Sequence, residues 1–259
     1  MREFFGFGGY VREAEGFLSW QHLVFVGLLL TIMVVLAVVL GKSNVNRTAK
    51  EKNKVLIVAA ILIDGAEIFK IVLLSFRGGD AIDTILHNLP LFLCSIQLIA
   101  IPLAAFSIGR VKEAAMDFVC IFGLLGAVFG TIGAGQNYNA YPVLSFDNVV
   151  SGFTHSISGF ASMYILIAKM ADMKKKNIYI TFLILGGFCI SAYIANVMIP
   201  YNYMFLMAGD GTPYDILYNL VNGNRILYPL SVVGLFLIYI GAFYYFFYVF
   251  SRKIKKKNR

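Results

Sequence analysis

Cysteine and charge are what this chain has least of. Its three cysteines, Cys94, Cys120 and Cys189, all lie inside apolar runs, so neither a disulfide framework nor a Cys-x-x-Cys metal pattern is available. Only 14% of the 259 residues are charged while 59% are hydrophobic, and the mean hydropathy is +0.76, which excludes a water-soluble globule of this length. Linkers, low-complexity tracts and convincing internal repeats are also missing, so a single membrane domain over residues 1–259 is the simplest reading. A net charge of +8 would suggest nucleic acid in a soluble protein, but here Lys and Arg sit between apolar runs and at the C-terminus, and no nucleic-acid partner is expected.

What is present is seven apolar stretches, each long enough for a hydrocarbon core that takes about 20 residues of helix. They cover approximately 17–40, 55–76, 82–108, 116–135, 149–170, 178–200 and 227–250. The first of them exceeds a signal-peptide core and lacks an Ala-x-Ala end, so it is expected to remain as a span. The predicted fold is therefore all-α, a polytopic membrane helical bundle of seven spans in the cell membrane.

Loop charge sets its orientation. Lys42, Arg47, Lys50, Lys52 and Lys54 follow the first span, Arg110 and Lys112 the third, Lys169 and Lys174 to Lys176 the fifth, and Arg252 to Arg259 the last. The alternate connections carry only Arg77 and Arg225, which predicts an N-out, C-in topology.

Against this background each polar residue in a span needs a reason. The fourth span holds Gly123, Gly126, Gly130 and Gly133 at spacings of three and four, a stripe that lets another helix approach, and it reads as packing. Asp64, Glu67 and Lys70 in the second span cost roughly 2.5–3.5 kcal/mol each on insertion scales unless paired or facing water. The structural reading is an internal Glu67 to Lys70 pair at i,i+3, or Lys70 snorkelling outward; the functional reading is an acid facing a cavity.

Counted from the expected outer face, Cys94, His155, Glu67 and His22 all fall in the outer half of a core about 30 Å thick. If a helix runs through 87–97, His87 and Cys94 lie on one face of it, roughly 10 Å apart along the axis, and line one cavity. A cysteine becomes a nucleophile when a histidine takes its proton, and an acid can orient the ring; Cys94, His155 and Glu67 offer those three groups. The same residues also read as a small buried hydrophobe and a packed helix histidine, and depth does not say which faces meet. His22 and His87 with Glu67 form a weaker candidate metal set, because no two ligands have the i,i+4 spacing of helical zinc sites, and no metal or other cofactor is expected.

Ser19-Trp20-Gln21-His22-Leu23, Glu67, Leu89-Pro90-Leu91-Phe92-Leu93-Cys94, His155 and Asn202-Tyr203-Met204-Phe205-Leu206 together resemble, in order and spacing, the YwaF family of bacterial integral membrane proteins. That family is similar to a eukaryotic membrane acyltransferase that remodels ether phospholipids. The resemblance implies a phospholipid or lysophospholipid partner, with Cys94 as the acyl-accepting nucleophile and His155 as its base. Family members often carry a histidine where Phe92 stands, so the role of that side chain is dispensable here or is taken over by another group such as His87.

The leading expectation is a lipid acyltransferase or acyl hydrolase with Cys94, His155 and Glu67 as catalytic groups. His22, His87, Gln97, Asn202 and Tyr203 are candidate substrate contacts, with Asn202, Gln97, Ser95 or backbone amides near Pro90 as oxyanion donors. The alternative is a non-catalytic transporter of a small polar solute or a sensor, for which Pro102 or Gly186-Gly187 would mark a helix break. Oligomeric state is not readable.

Overall fold

Three of the long helices, α1, α2 and α7, begin where a side chain satisfies one of their first free amides. The computed structural model describes residues 2–78 and 80–257, and side chains as far as residue 249. Ser19 accepts from the His22 amide to start α1 (Trp20–Asn44), and Thr48 and Glu51 form a reciprocal capping box on α2 (Ala49–Phe76). Ser145 does the same, through the Asn148 amide, for α7 (Phe146–Ile167). Between α2 and α7 lie α3 (Ala81–Leu86), α4 (Gln97–Phe106), α5 (Gly109–Thr131) and α6 (Gly135–Ala140). After α7 come α8 (Ile178–Met198), α9 (Asp215–Leu220) and α10 (Leu227–Lys257). No strand occurs among the described residues.

Among the described residues, five helical segments are long and apolar enough to cross a membrane: Trp20–Asn44, Gly109–Ala140, Phe146–Ile167, Lys175–Met198 and Leu227–Val249. Their apolar side chains stay exposed, among them Leu23, Val24, Leu28 and Val35 on α1 and Leu183, Ile190, Ile194 and Val197 on α8. Such faces belong in lipid. The 28-residue α2 carries Asp64, Glu67 and Lys70 in its apolar stretch. Arg259, counted among the inside charges, lies outside the described residues, as do the side chains of 250–257.

One expectation is corrected. The third apolar run is not a single helix: α3 ends at Leu86, His87 is its C-cap, and residues 87–96 form turns before α4 begins at Gln97. Pro90 supplies no amide and disfavours helical geometry at Leu89, and Ser95 takes over the local bonding, exchanging hydrogen bonds of 3.1 Å with the amide and carbonyl of Phe92. The shared helical face proposed for His87 and Cys94 therefore does not exist. Gly186 and Gly187, by contrast, lie within an unbroken α8, and Pro102 within α4.

The chain divides into two compact units. Unit 1 takes the described residues of Met1–Pro90 and Gln97–Ala171; unit 2 takes those of Leu91–Ile96 and Asp172–Arg259. In unit 1, α2, α4, α5 and α7 close a ring in which each helix packs on two others, and α1 lies against α7. The α5–α7 seam is the tightest. A Cβ on Gly123 would come within 2.7 Å of the Ser158 carbonyl oxygen, and Ser162 donates to the Cys120 carbonyl at 2.9 Å. An N-terminal strap covers one end of this unit, where Arg77 pairs with Asp147 at 2.8 Å, Tyr10 donates to Asp147, and the Phe4 carbonyl accepts from the Phe146 amide. In unit 2, α8 packs on α10, with Thr181 and Tyr244 hydroxyls 3.1 Å apart.

Candidate functional site

His155 is held from two sides within unit 1. Its Nδ1 lies 2.7 Å from the Ser151 carbonyl oxygen, one turn back on α7, and because a carbonyl only accepts, Nδ1 carries a proton; in the neutral ring the lone pair is then on Nε2. The ring occupies the space that Gly130 leaves open: a Cβ there would lie 1.9 Å from its Cδ2 and 2.1 Å from its Nε2. At Gly123 and Gly130 the stripe thus packs α5 on α7, as its spacing predicts, and at Gly130 it also seats the histidine; Gly133 lies past the end of α5.

Glu67 is engaged elsewhere. Its Oε1 accepts from Lys70 Nζ at 2.5 Å, so the internal i,i+3 pair is the arrangement observed, and the His155 ring takes its orientation from a backbone carbonyl. His22 is fully buried; its Nδ1 accepts from the Leu18 amide at 3.1 Å and its ring lies 4.0 Å from that of Tyr138. His87 turns back onto α3, with Nδ1 2.9 Å from the Asp83 carbonyl and 3.1 Å from its carboxylate. No group of three His, Cys, Asp or Glu side chains that could hold a metal occurs among the described residues. Gln97, the first residue of α4, is fully buried, and neither polar atom of its side chain has a hydrogen-bond partner; Oδ1 of Asp64 is likewise unsatisfied. Such atoms cost about 1–3 kcal/mol apiece.

In unit 2, Cys94 sits in the non-helical 91–96 segment and is half-buried, whereas Cys120 in unit 1 and Cys189 in unit 2 are buried packing residues. The segment is held by aromatic contacts: Phe92 lies 5.1 Å from Tyr203, 5.8 Å from Phe205 and 6.0 Å from Tyr201, ring centre to ring centre. Here the Asn202-Tyr203-Met204-Phe205-Leu206 string acquires a structural meaning. Asn202 bonds the Met207 amide, the Ala208 carbonyl and the Asp210 carboxylate, and Tyr203 exchanges backbone bonds with the Asn196 side chain at 2.6 and 3.0 Å. Met204 and Phe205 are forced to φ of 54° and 55°, a strained left-handed turn of the kind that clusters at functional sites.

Both Asn202 and Ser95 are occupied by these local bonds. A residue not identified from the sequence is Tyr214, stacked on Phe205 at 5.4 Å. Burial pushes its hydroxyl up to about 12, and the negative charge that Cys94 can carry pushes in the same direction. No signal in its Thr212-Pro213-Tyr214 surroundings connects it to a residue more than a hundred positions earlier. An open cavity of about 300 Å³ is lined by Glu3, Tyr10, Arg12 and Ser145 among others, and by none of the residues singled out from the sequence.

Exposed apolar helices carrying a few restrained polar side chains define an all-helical integral membrane protein. The chain belongs to the TMEM164 family, whose model matches residues 17–245, a range that includes every candidate site residue and leaves out the strap before Phe17. No curated protein and no solved structure matches it.

Proposed function

We propose that this protein moves acyl chains between membrane lipids, or from lipid to water, through a thioester on Cys94. The observation that carries the reading is the state of His155: with Nδ1 committed to Ser151, the neutral ring has its lone pair on Nε2, as a general base requires. In this reaction the Cys94 sulfur attacks the carbonyl carbon of a phospholipid ester as its proton passes to His155 Nε2. The tetrahedral intermediate then collapses, the carbon–oxygen bond breaks, and His155 returns the proton to the departing lysophospholipid alkoxide. Tyr214, kept protonated and sensitive to charge at Cys94, supplies a donor for the oxyanion. Glu67 has no step, because Lys70 engages it.

The same reading includes seven spans, with the third formed by α3, the 87–96 turns and α4 together, an outside N-terminus and an inside C-terminus in the cell membrane. Cysteine labels at Thr48 and Asn139 then react from opposite sides; labelling from one side overturns the span count. Activity is tested with purified protein in vesicles holding a phospholipid with an isotopically labelled acyl chain and an unlabelled lysophospholipid. Transfer or release of the label that is lost in Cys94→Ala and His155→Ala supports the proposal, and its survival in both refutes it.

The break at 87–96 favours a second reading, since secondary transporters bind solutes at discontinuous helices. Solute flux through vesicles that is indifferent to Cys94→Ala would select it.

A further inference from the structure

The open cavity beside the strap has a volume of about 300 Å³, at the small end of ligand pockets, and every residue lining it belongs to unit 1. Glu3, Phe4, Tyr10 and Arg12 of the strap form one wall, and Leu144 and Ser145, which lead into α7, stand on the other. Most polar groups around it are spent. The Tyr10 hydroxyl donates to Asp147, which also holds Arg77 at 2.8 Å, and Ser145 bonds both the Asn148 amide, at 3.3 Å, and Tyr10.

Two charged side chains keep capacity to spare. Glu3 accepts the Arg12 amide through Oε1 at 3.2 Å, which leaves Oε2 without a partner among the described residues. Arg12 meets Glu15 through one nitrogen at 3.1 Å, and its side chain remains 50% exposed. Glu15 is tethered, because its other oxygen accepts from the Val143 amide at 2.7 Å, so it cannot wrap the guanidinium. Most of the five N–H donors of Arg12 therefore stay available.

An open carboxylate oxygen and an open guanidinium fork on one small cavity select a guest by charge. A simple cation is repelled by Arg12, and a simple anion by Glu3. A zwitterion answers both. The planar fork of Arg12 matches the oxygens of a phosphate, and Glu3 beside two aromatic residues, Phe4 and Tyr10, matches an ammonium group. The place of the cavity points to the source of such a guest. It lies where α7 begins, on a strap that leads into α1, and both helices are long and apolar enough to span a membrane. Leu144 is 59% exposed on its wall, and Trp20, the first residue of α1, is 71% exposed. Apolar and aromatic side chains left open at the end of a span belong at the headgroup level of a bilayer.

We infer that this cavity binds the ammonium–phosphate headgroup of a membrane phospholipid, with Arg12 at the phosphate and Glu3 at the ammonium. None of its lining residues has a part in the acyl-transfer reading, so the inference stands independently of that reading, and the lipid is bound here without reacting. Glu3 and Arg12 both precede residue 17, where the match to the family begins.

The experiment titrates full-length protein, in a nonionic detergent, with short-chain phosphatidylcholine and with short-chain phosphatidylglycerol, which share the phosphate and differ in the ammonium. Calorimetry should show phosphatidylcholine binding roughly tenfold more tightly, the scale of one charge-assisted contact. Glu3→Gln, which can still accept the Arg12 amide, removes that preference. Arg12→Gln weakens both lipids roughly tenfold, and Arg2→Gln, at a strap cation that does not line the cavity, changes neither. Equal affinity of the wild type for the two lipids overturns the inference, and so does a preference that survives Glu3→Gln or binding indifferent to Arg12→Gln. Phosphocholine alone separates the sources: much weaker binding than the lipid supports the headgroup assignment, and equal binding moves the guest into solution and overturns it. Thermal melts accompany each variant. Should Arg12→Gln not fold, Arg12→Lys, which keeps the charge and loses the fork, is expected to weaken both lipids, and unchanged binding there overturns the site.

Discussion

The seam between α5 and α7 and the turns between α3 and α4 are both apolar stretches interrupted by unusual residues, yet one became a pair of regular helices and the other lost its helix. In the seam the interruptions are glycines, which keep their amides and remove only side chains, so the helix persists and its neighbour moves in until Gly123 meets the Ser158 carbonyl and Gly130 the His155 ring. In the turns the interruption is Pro90, which removes an amide and opposes helical geometry before it, and Ser95 completes the break by binding Phe92. The lesson is that the kind of interruption, more than hydrophobicity, decides whether a span is continuous. The candidate base stands on the rigid side of this contrast and the candidate nucleophile in the broken segment.

The sharpest way to break the contrast is to fill the seam. Gly130→Ala puts a methyl group where the His155 ring lies, and we expect acyl transfer to fall roughly 100-fold, the scale of a misplacement of about 1 Å. Rates measured in vesicles beside a thermal melt check this; transfer at the wild-type rate would show that the ring position is irrelevant. Gly123→Ala meets backbone instead of the histidine, so it should cost about 1–3 kcal/mol of stability with turnover per folded molecule unchanged.

On α2 the next test concerns the ion pair between Glu67 and Lys70. Lys70→Met strands the Glu67 carboxylate and should destabilise the protein by about 1–3 kcal/mol in denaturant titrations, while Glu67→Gln leaves the dependence on His155 intact. If Glu67→Gln abolishes turnover without destabilising the fold, Glu67 belongs to the chemistry after all.

The smallest effect concerns the strap. Burial first, then the hydrogen bond and charge of Asp147, push the Tyr10 hydroxyl from 10.0 up to about 12. Because the folded value lies above the unfolded one, its contribution is complete below pH 10 and is lost as pH rises toward 12. Proteolysis of the strap should therefore accelerate over that window, and Tyr10→Phe should flatten the response.

Much of this was legible in the sequence, for identifiable reasons. The spacing of the glycine stripe announced the close packing at Gly123 and Gly130, whereas the caps Ser19, Thr48 and Ser145 emerged only with the fold. The Glu67 to Lys70 pair was one of two open readings, and only coordinates could choose between them. The break at 87–96 was hidden because Leu, Phe and Ile suit a buried turn as well as a span. Asn202 looked like an oxyanion donor, but its amide is consumed by its own loop, and Tyr214 joined the candidates only through the fold around Phe205. Long-range pairings of this kind leave no local periodicity to read.

A thiol that stays half-buried in the non-helical 91–96 segment, where Cys120 and Cys189 are fully buried, has one direct chemical signature if it is a nucleophile. Protein incubated in vesicles with labelled phospholipid, then denatured and treated with neutral hydroxylamine, should release acyl label from the wild type, from Cys120→Ala and from Cys189→Ala. Cys94→Ala should carry none, and His155→Ala should acquire it far more slowly. Hydroxylamine-sensitive label that persists in Cys94→Ala would contradict the assignment of Cys94 as the acyl-accepting residue.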